Sequence, residues 1–321
     1  MTFTPPTNPA LGQDTLYPSQ GNGPAYSILS VAKPLPVNPQ MGRSPDGLPT
    51  PAIRLGNAGC VQSKMMPNCR PNGADPLESQ QAEDGFPFFP VGWYVPVGCD
   101  NTPANQAMFE RWRQMAEANV TAATAHMIEA SLWSDGSLAS QQGAATVMPA
   151  FATVAATVGS GTVNPRDGVG QIISAYNDCN FAGGQAVLHI PDILSAYLID
   201  HRVIQPVGAK LQGPNGCDVV LGGGYDGSIG PFNNSGSLSH ESAGTVWIYM
   251  TGPIYMELGK PYSLADPFGR LAAAGVMVEG YANPRLNEQS VLMARRALYA
   301  FDTCCVYGIK VDVPSVTGYV G

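Results

Sequence analysis

The chain has 321 residues, of which 44% are hydrophobic, so it is long and apolar enough to fold around a sizeable core. Charged residues make up only 12%, against about 25% in an average soluble domain, and the formal net charge is -8. An acidic chain with no basic run lacks the clustered Lys and Arg of a tight nucleic-acid binder. The low charge favours a surface covered by other copies of the chain, although an ordinary low-charge enzyme fits the composition equally well.

Seven cysteines are spread thinly along the chain, whereas a small disulfide-stapled secreted protein would be shorter and denser in cysteine. We therefore expect reduced, buried thiols in a cytoplasmic product. No apolar run reaches about 18 residues, so no membrane span is predicted. The first residues, MTFTPPTNPALGQ, have neither a basic start nor an apolar stretch, so they are not typical of a signal peptide.

The first hundred residues contain 17 of the 29 prolines. Proline blocks helix interiors and central strands, so this third is predicted to be an extended arm and loop rather than a packed core. Such a segment gains stability chiefly by lying across another chain. The exception is residues 86–98, FPFFPVGWYVPVG, whose aromatic side chains are predicted to pack at a subunit interface or in the chain's own core. The interface candidates are Phe86, Phe88, Phe89, Trp93 and Tyr94.

One long helix is predicted next, over residues 101–134. Asn101 and Thr102 are suited to cap it. Apolar side chains then recur at helical spacing until the pattern ends near Trp133. They are Met108, Phe109, Trp112, Met115, Ala116, Val120, Ala123, Met127 and Ile128. At about 1.5 Å per residue, about 30 residues make a rod roughly 45 Å long, which suits a spine that crosses a large flat subunit.

Two helices and several strands are predicted after residue 164 from periodicity and residue preference. The helices are 165–181, which has one apolar face, and 192–200, which Pro191 opens at its favoured first position. The strands are AVLHI at 186–190, the short apolar strand at 218–221, TVWIYMT, PIYMEL, and a last strand over 304–313 that alternates with a period of two.

Gly222 to Gly227 fits the dinucleotide-binding pattern G-x-G-x-x-G and follows a short strand. That motif binds a pyrophosphate only where a helix begins at once, and the residues that follow have no helical period. We therefore predict a glycine turn rather than a nucleotide site. No serine lies in a G-x-S-x-G elbow, so a hydrolase nucleophile is not predicted either.

Cys179, His189 and Asp192 are the residues that could form a Cys-His-Asp set. His189 lies in an apolar strand, however, and nothing local marks Cys179 as a nucleophile, so we interpret His189 as a buried, hydrogen-bonded histidine. Zinc ligands need close spacing such as C-x-x-C, and the adjacent Cys304 and Cys305 are expected to point to opposite faces of a strand. No catalytic residue, metal site or cofactor is predicted.

Four segments of the chain match, in order, the pattern of one family of shell proteins. They are VLHIP at 187–191, GCDVVLGGGYDGSIGP at 216–231, WIYMTGPI at 247–254, and RRALYAFDTCCVYGIKV from Arg295. In these segments the chain resembles major capsid proteins of tailed bacteriophages that infect actinobacteria, which have the Hong Kong phage-type capsid fold shared with encapsulins. The resemblance covers about residues 100–313, and none of its motifs is catalytic.

The resemblance implies an α+β fold with an arm, a loop and two domains. These parts are an N-terminal arm at 1–55, an extended loop at 56–98, an axial domain at 150–239, and a peripheral domain that comprises 99–149, with the spine helix, and 240–321.

The resemblance also implies the function of a structural major capsid protein, not an enzyme. Such a protein self-assembles into hexamers, pentamers or both of an icosahedral phage head that encloses double-stranded DNA without sequence-specific binding. The implied partners are other copies of the chain and a second capsid protein or decoration protein, with no membrane. The implied location is the virion, after synthesis in the host bacterial cytoplasm. The alternatives are an encapsulin-like compartment shell and an unfamiliar α+β enzyme that uses His189 or Cys179.

Overall fold

Helices and strands are mixed along the chain, as predicted for an α+β fold. The computed structural model describes residues 25–35, 42–43, 46–50, 53–54, 87–88, 91–100, 106–133, 150–179, 185–232, 238–240, 244–263 and 288–314. The helices are α1 (Ile28–Val31), α2 (Gln106–Ala122), α3 (Thr124–Trp133), α4 (Phe151–Val154), α5 (Pro165–Asp178) and α6 (Ser195–Asp200). The strands are β1 (Lys33–Pro34), β2 (Gly42–Arg43), β3 (Pro49–Thr50), β4 (Ile53–Arg54), β5 (Pro87–Phe88), β6 (Val91–Asp100), β7 (Ala156–Thr157), β8 (Val187–Pro191), β9 (Gln205–Val207), β10 (Lys210–Gln212), β11 (Asp218–Gly222), β12 (Ile229–Phe232), β13 (Leu238–His240), β14 (Thr245–Thr251), β15 (Tyr255–Leu258), β16 (Tyr262–Ser263), β17 (Glu288–Ala300) and β18 (Tyr307–Asp312).

The predicted spine helix is confirmed over residues 106–133, as α2 and α3 joined at Ala123. The backbone N–H of Ala123 donates to Asn119 at 3.0 Å, and that of Met127 donates to Ala123 at 3.0 Å, so the helical hydrogen bonding continues through the join. At about 1.5 Å per residue the rod is about 42 Å long. The proposed caps, Asn101 and Thr102, lie outside the described residues.

A first sheet flanks the spine, with the strand order β1-β15-β17-β16 and with β6 also paired to β17. β6 and β17 are antiparallel from Asp100 opposite Glu288 to Val91 opposite Ala297, and this long ribbon packs on α2. Side chains of β6 alternate between its two faces. Trp93 is on the face toward the spine helix, because its indole N–H donates to the Val120 carbonyl of α2 at 3.0 Å. The ribbon and the spine share one apolar core.

A second sheet has seven strands in the order β7-β18-β14-β8-β11-β10-β9. β8 and β11 are parallel from Val187 opposite Asp218 to Pro191 opposite Gly222, and β14 is antiparallel to both β8 and β18. The strands predicted at 186–190, 218–221 and TVWIYMT are therefore confirmed as neighbours. The predicted division put 150–239 and 240–321 in different domains, yet β14 and β18 are hydrogen-bonded into the sheet that β8 and β11 form.

Helix α5 covers one face of this sheet and is the helix predicted at 165–181. Asn164 caps it, with its side-chain oxygen accepting from the Arg166 N–H at 2.9 Å. The predicted apolar face, Val169, Ile172, Ile173 and Tyr176, is buried. The next helix begins later than predicted, because Pro191 has extended backbone angles and ends β8, and a 3-10 turn precedes α6.

The described parts of the proline-rich third pack on their own chain, whereas we expected an arm and loop without a packed core. Ile28 and Val31 of α1 are buried in the core beside the spine, and Leu48 is buried as well. Asp46 forms a two-point ion pair with Arg296 of β17, at 2.7 Å for each contact. The spacing of the prolines does not predict this packing. Proline prevents helices and central strands, but a few buried side chains and one ion pair are enough to attach an extended segment to the rest of the chain.

The expectation of reduced thiols is wrong for Cys179, Cys304 and Cys305, which are disulfide-bonded. Cys179 ends α5 and is bonded to Cys305 across 126 residues of sequence, with the Cα atoms 6.2 Å apart. Cys304 and Cys305 also lie in a turn, not in a strand with opposite faces as expected. The Asp302 carboxylate accepts from the Cys304 N–H at 2.9 Å and holds this turn before β18 begins. Cys217 is free and buried, as expected.

The Cys179–Cys305 bond is expected to stabilise the fold by about 2–4 kcal/mol, because it closes a long loop and restricts the unfolded chain. Cys179→Ala and Cys305→Ala should each lower the free energy of unfolding by this amount in urea titrations without reductant. The double variant should lose little more than either single variant, since either change removes the same bond. Losses that simply add would contradict the assignment.

Candidate functional site

The structure brings four polar side chains together inside the protein. We call this set, Glu129, His189, Tyr225 and Thr251, the buried polar junction. His189 is fully buried, with Nδ1 2.8 Å from the Tyr225 hydroxyl and Nε2 3.0 Å from the Thr251 hydroxyl. The Thr251 hydroxyl donates its own proton to the Gly252 carbonyl at 2.8 Å, so it accepts from His189 Nε2–H, and Nδ1 accepts from Tyr225.

The interpretation of His189 as a buried, hydrogen-bonded histidine is confirmed. Both ring nitrogens have partners, and the ring also packs against Phe151 with the centroids 4.4 Å apart. Burial lowers the pKa of His189 to about 3, so the imidazole is neutral near pH 7. Because Cys179 is bonded to Cys305, its sulfur is not a thiolate, and the Cys-His-Asp set does not form.

The glycine loop after β11 is a turn, as predicted, and it leads to β12 rather than to a helix. Its glycines allow close packing. A Cβ at Gly222 would overlap the ring of Tyr225, and a Cβ at Gly224 would overlap the His126 carbonyl of α3. The Tyr225 ring stacks on Trp133 with the centroids 4.6 Å apart. Because these two positions have no side chain, the loop packs directly against the C-terminal end of the spine helix.

Glu129 of α3 connects three segments of the chain and was not singled out from the sequence. Its side chain is buried, and its two oxygens accept from the backbone N–H groups of Ile28 at 3.0 Å and Gly224 at 3.1 Å. Glu129 thus holds α1 and the glycine loop to the spine. Its position in the helix could have indicated its burial. Glu129 falls four residues after Ala125 and three before Leu132, which places it on the apolar, buried face of α3.

Burial raises the pKa of Glu129 to about 7, since removing a carboxylate from water disfavours its charged form. The N–H groups of Ile28 and Gly224 lower the pKa and the charge of Asp192 raises it, but burial has the largest effect. The carboxyl therefore binds a proton more tightly in the folded chain than in the unfolded chain. This contribution to stability is complete below about pH 4.5 and is lost as the pH rises through about 7.

The interface candidates differ in their environments. Trp93 is buried in the chain's own core, with 4% of its surface exposed, whereas Tyr94 on the opposite face of β6 is 41% exposed. Phe88 lies in β5 opposite Ile53 of β4. Phe86 and Phe89 lie outside the described residues. Contact of these five residues with another copy stays a prediction.

Three other large apolar side chains are exposed in the part of the chain that the structure describes. They are Ile193, Ile199 and Val207, between β8 and β10. Within the same part, no group of His, Cys, Asp and Glu side chains is arranged to hold a metal ion. No helix there is both long and apolar enough to cross a membrane.

Replacing Glu129 by Gln is expected to make the stability of the fold less dependent on pH. Between about pH 4 and 8 the wild-type chain should lose about 3 kcal/mol of unfolding free energy relative to the variant, since one pKa unit corresponds to about 1.4 kcal/mol. Urea titrations of both chains across this pH range measure the difference. Parallel pH profiles would show that the Glu129 carboxyl does not titrate as described.

The sequence matches no protein-family model and no curated protein. Comparison with solved structures finds distant likenesses. A chain of Gordonia phage Cozz is 13% identical, with a TM-score of 0.43 over 87% of this chain and 84% of that chain. The capsid of a native GTA particle is 10% identical, with a TM-score of 0.44 over 96% of this chain and 95% of that chain. The holo-SrpI encapsulin complex from Synechococcus elongatus is 10% identical, with a TM-score of 0.41 over 73% of this chain and 78% of that chain.

Proposed function

We propose that this chain is a major capsid protein of a tailed bacteriophage, which assembles with copies of itself into hexamers, pentamers or both of an icosahedral shell. The observation that carries the proposal is the position of the four capsid-type segments in the fold. Three of them contribute β8, β11 and β14, which are direct neighbours in one sheet, and the fourth contributes β18 on the other side of β14. Segments that match in chain order and also adjoin in space support a resemblance in fold rather than scattered coincidence.

We propose the same division of the subunit that the resemblance implies, with one change. The proposed parts are the arm at 1–55, the loop at 56–98, the peripheral domain with the spine helix, and the axial domain that begins at residue 150. We place β14 and β18 with the 150–239 segment, because they are hydrogen-bonded into its sheet. The long ribbon of β6 and β17 then remains with the spine.

The surface of the chain suits contact with other copies. Four large apolar side chains are exposed within the described residues, namely Tyr94, Ile193, Ile199 and Val207. Only 12% of all residues are charged, and such a surface is better suited to burial in interfaces than to bulk water. The net charge of -8 suits the inside of a container, because a strongly basic wall would bind packaged double-stranded DNA tightly.

The proposal has no catalytic role for the chain and no cofactor. Its location would be the virion after synthesis in the host bacterial cytoplasm, and its partners would be other copies and a second capsid protein or decoration protein. His189, which is fully buried, uses both ring nitrogens for internal hydrogen bonds, and this supports a structural role for it.

Purified full-length chain is expected to form closed particles of megadalton mass. Size-exclusion chromatography with light scattering measures the mass, and electron microscopy of the same fractions shows whether the particles are closed shells. A chain that stays a monomer or dimer at every concentration would favour the enzyme alternative and contradict the proposal.

The contents of particles made in their native setting separate the two shell functions. A phage head should hold double-stranded DNA that resists added nuclease, whereas an encapsulin-like compartment should hold protein cargo and little DNA. Nuclease digestion followed by DNA extraction and protein gels of the particles measures both. Protein-filled particles without protected DNA would replace the capsid proposal by the compartment.

Tyr94 and Trp93 are expected to affect different steps. Tyr94→Ala should cost clearly less folding stability than Trp93→Ala but lower particle yield, because 41% of its surface is exposed and open to contact with another copy. Trp93→Ala should cost about 3–5 kcal/mol of folding stability, because the indole is buried against α2. Urea titration and gradient sedimentation of the particles measure the two quantities. Full particle yield for Tyr94→Ala would remove Tyr94 from the interface.

A further inference from the structure

A cavity opens on the surface of the unit formed by α5 and the seven-stranded sheet. Its volume is about 470 Å³. The walls come from the first turns of α5, the turn after α6, and the hairpin of β9 and β10 with the loop that follows it. The side chains of Arg166, His201 and Arg202 line it, together with the valines Val169, Val203 and Val207. None of its lining residues in the described part of the chain is acidic.

The guanidinium groups of Arg166 and Arg202 have no partner among the residues that the structure describes. Arg43, Arg113 and Arg296 each form an ion pair with a carboxylate of the same chain. Arg295 donates to the Gly259 carbonyl and the Thr124 hydroxyl. Among the described residues, no acceptor lies within hydrogen-bond distance of the Arg166 or Arg202 side chains. Two unpaired guanidinium groups in one cavity of an acidic chain favour an anionic occupant.

The backbone at the cavity is well defined. Arg202 has a φ of 56°, the left-handed conformation of a residue that ends a helix. Its N–H donates to the Ile199 carbonyl at 3.0 Å and the Val203 N–H donates to the Leu198 carbonyl at 2.9 Å, so these bonds close the end of α6 and hold Arg202 at the cavity. Gly170 lies in α5 beside the cavity, and a Cβ there would meet nothing within 4 Å, so the space next to it is open.

We propose that this cavity binds a carboxylate side chain of a second copy of the chain during assembly. The inference rests on the proposed function, because it requires copies to pack against each other. Charge complementarity supports it, since the chain has 24 acidic residues against 16 basic ones and thus carries carboxylates in excess. The valines support a protein partner over a free anion. Val207 is 51% exposed at the cavity, and a protein side chain would cover this apolar wall where inorganic phosphate would not.

The test uses full-length chain under conditions in which the wild type forms particles. Arg166→Glu combined with Arg202→Glu should lower particle yield at least about tenfold, because an attraction becomes a repulsion at each copy of the contact. Arg113→Glu is the matched control, since Arg113 is an exposed arginine that pairs within its own helix, and its yield should stay within about twofold of wild type. Gradient sedimentation measures the yield, and thermal unfolding checks that each variant is folded.

A second pair of variants tests the cavity without removing the arginines. Gly170→Glu adds a carboxylate of the same chain beside the guanidinium groups, so it should compete with the partner's carboxylate and lower particle yield. Gly170→Ala should assemble like wild type, because it adds one methyl group in open space. Equal yields for Gly170→Glu and Gly170→Ala would contradict the inference, as would normal assembly of the double arginine variant.

Inorganic phosphate distinguishes a small-anion site from a contact between copies. Phosphate should lower the particle yield of wild type more than chloride does at equal ionic strength, because it competes for the same guanidinium groups. If phosphate instead raises the unfolding temperature only when both arginines are present, while the double arginine variant assembles normally, the cavity binds a small anion and the inference is wrong. If wild type forms no particles under any condition, the proposed function itself fails, and this inference fails with it.

Discussion

The attachment of the spine to the seven-stranded sheet is the contact on which the rest of the fold depends. One end of the spine carries Glu129, whose carboxyl binds the backbone of α1 on one side and of the glycine loop on the other. Trp133 packs beside it between Tyr225 of the loop and Tyr249 of β14, each with ring centroids 4.6 Å away. These contacts lie within one apolar core that contains residues of the spine, of its ribbon and of the seven-stranded sheet.

Burying a carboxyl at this position has a cost that an apolar residue would avoid, but the geometry leaves few alternatives. If Glu129 were replaced by leucine, the buried N–H of Ile28 and the partly buried N–H of Gly224 would lose this acceptor, and an unsatisfied buried donor costs about 1–3 kcal/mol. The pKa near 7 shows that desolvation outweighs the two hydrogen bonds, so the protonated and charged forms of the carboxyl are about equally populated at neutral pH. Glu129 therefore contributes more to the positions of α1 and the glycine loop than to the free energy of unfolding, because its two oxygens bind both backbone segments at once.

The sequence predicted those parts of the fold in which one face of an element is repeatedly apolar. The spine, α5 and the strands β8, β11 and β14 all follow from period and residue preference. The pairing of Cys179 with Cys305 did not follow, because it depends on how α5 lies against the sheet and not on local spacing. The buried site could be predicted only in part. His189 was predicted to be buried because it lies in an apolar strand, but the roles of Glu129, Arg166 and Arg202 depend on neighbours that are distant in the sequence.

The residues that order the interior of this chain differ from those that we propose for contact with other copies, and this separation would suit a subunit of a shell. His189, Glu129 and Trp93 have their partners within the chain, so changes there act first on folding. Tyr94 and the arginines of the cavity are exposed, so under the proposed function changes there are expected to act more on association than on folding. A chain that must fold before it assembles benefits from this arrangement, because interface residues adapt to neighbouring copies without disturbing the core that presents them.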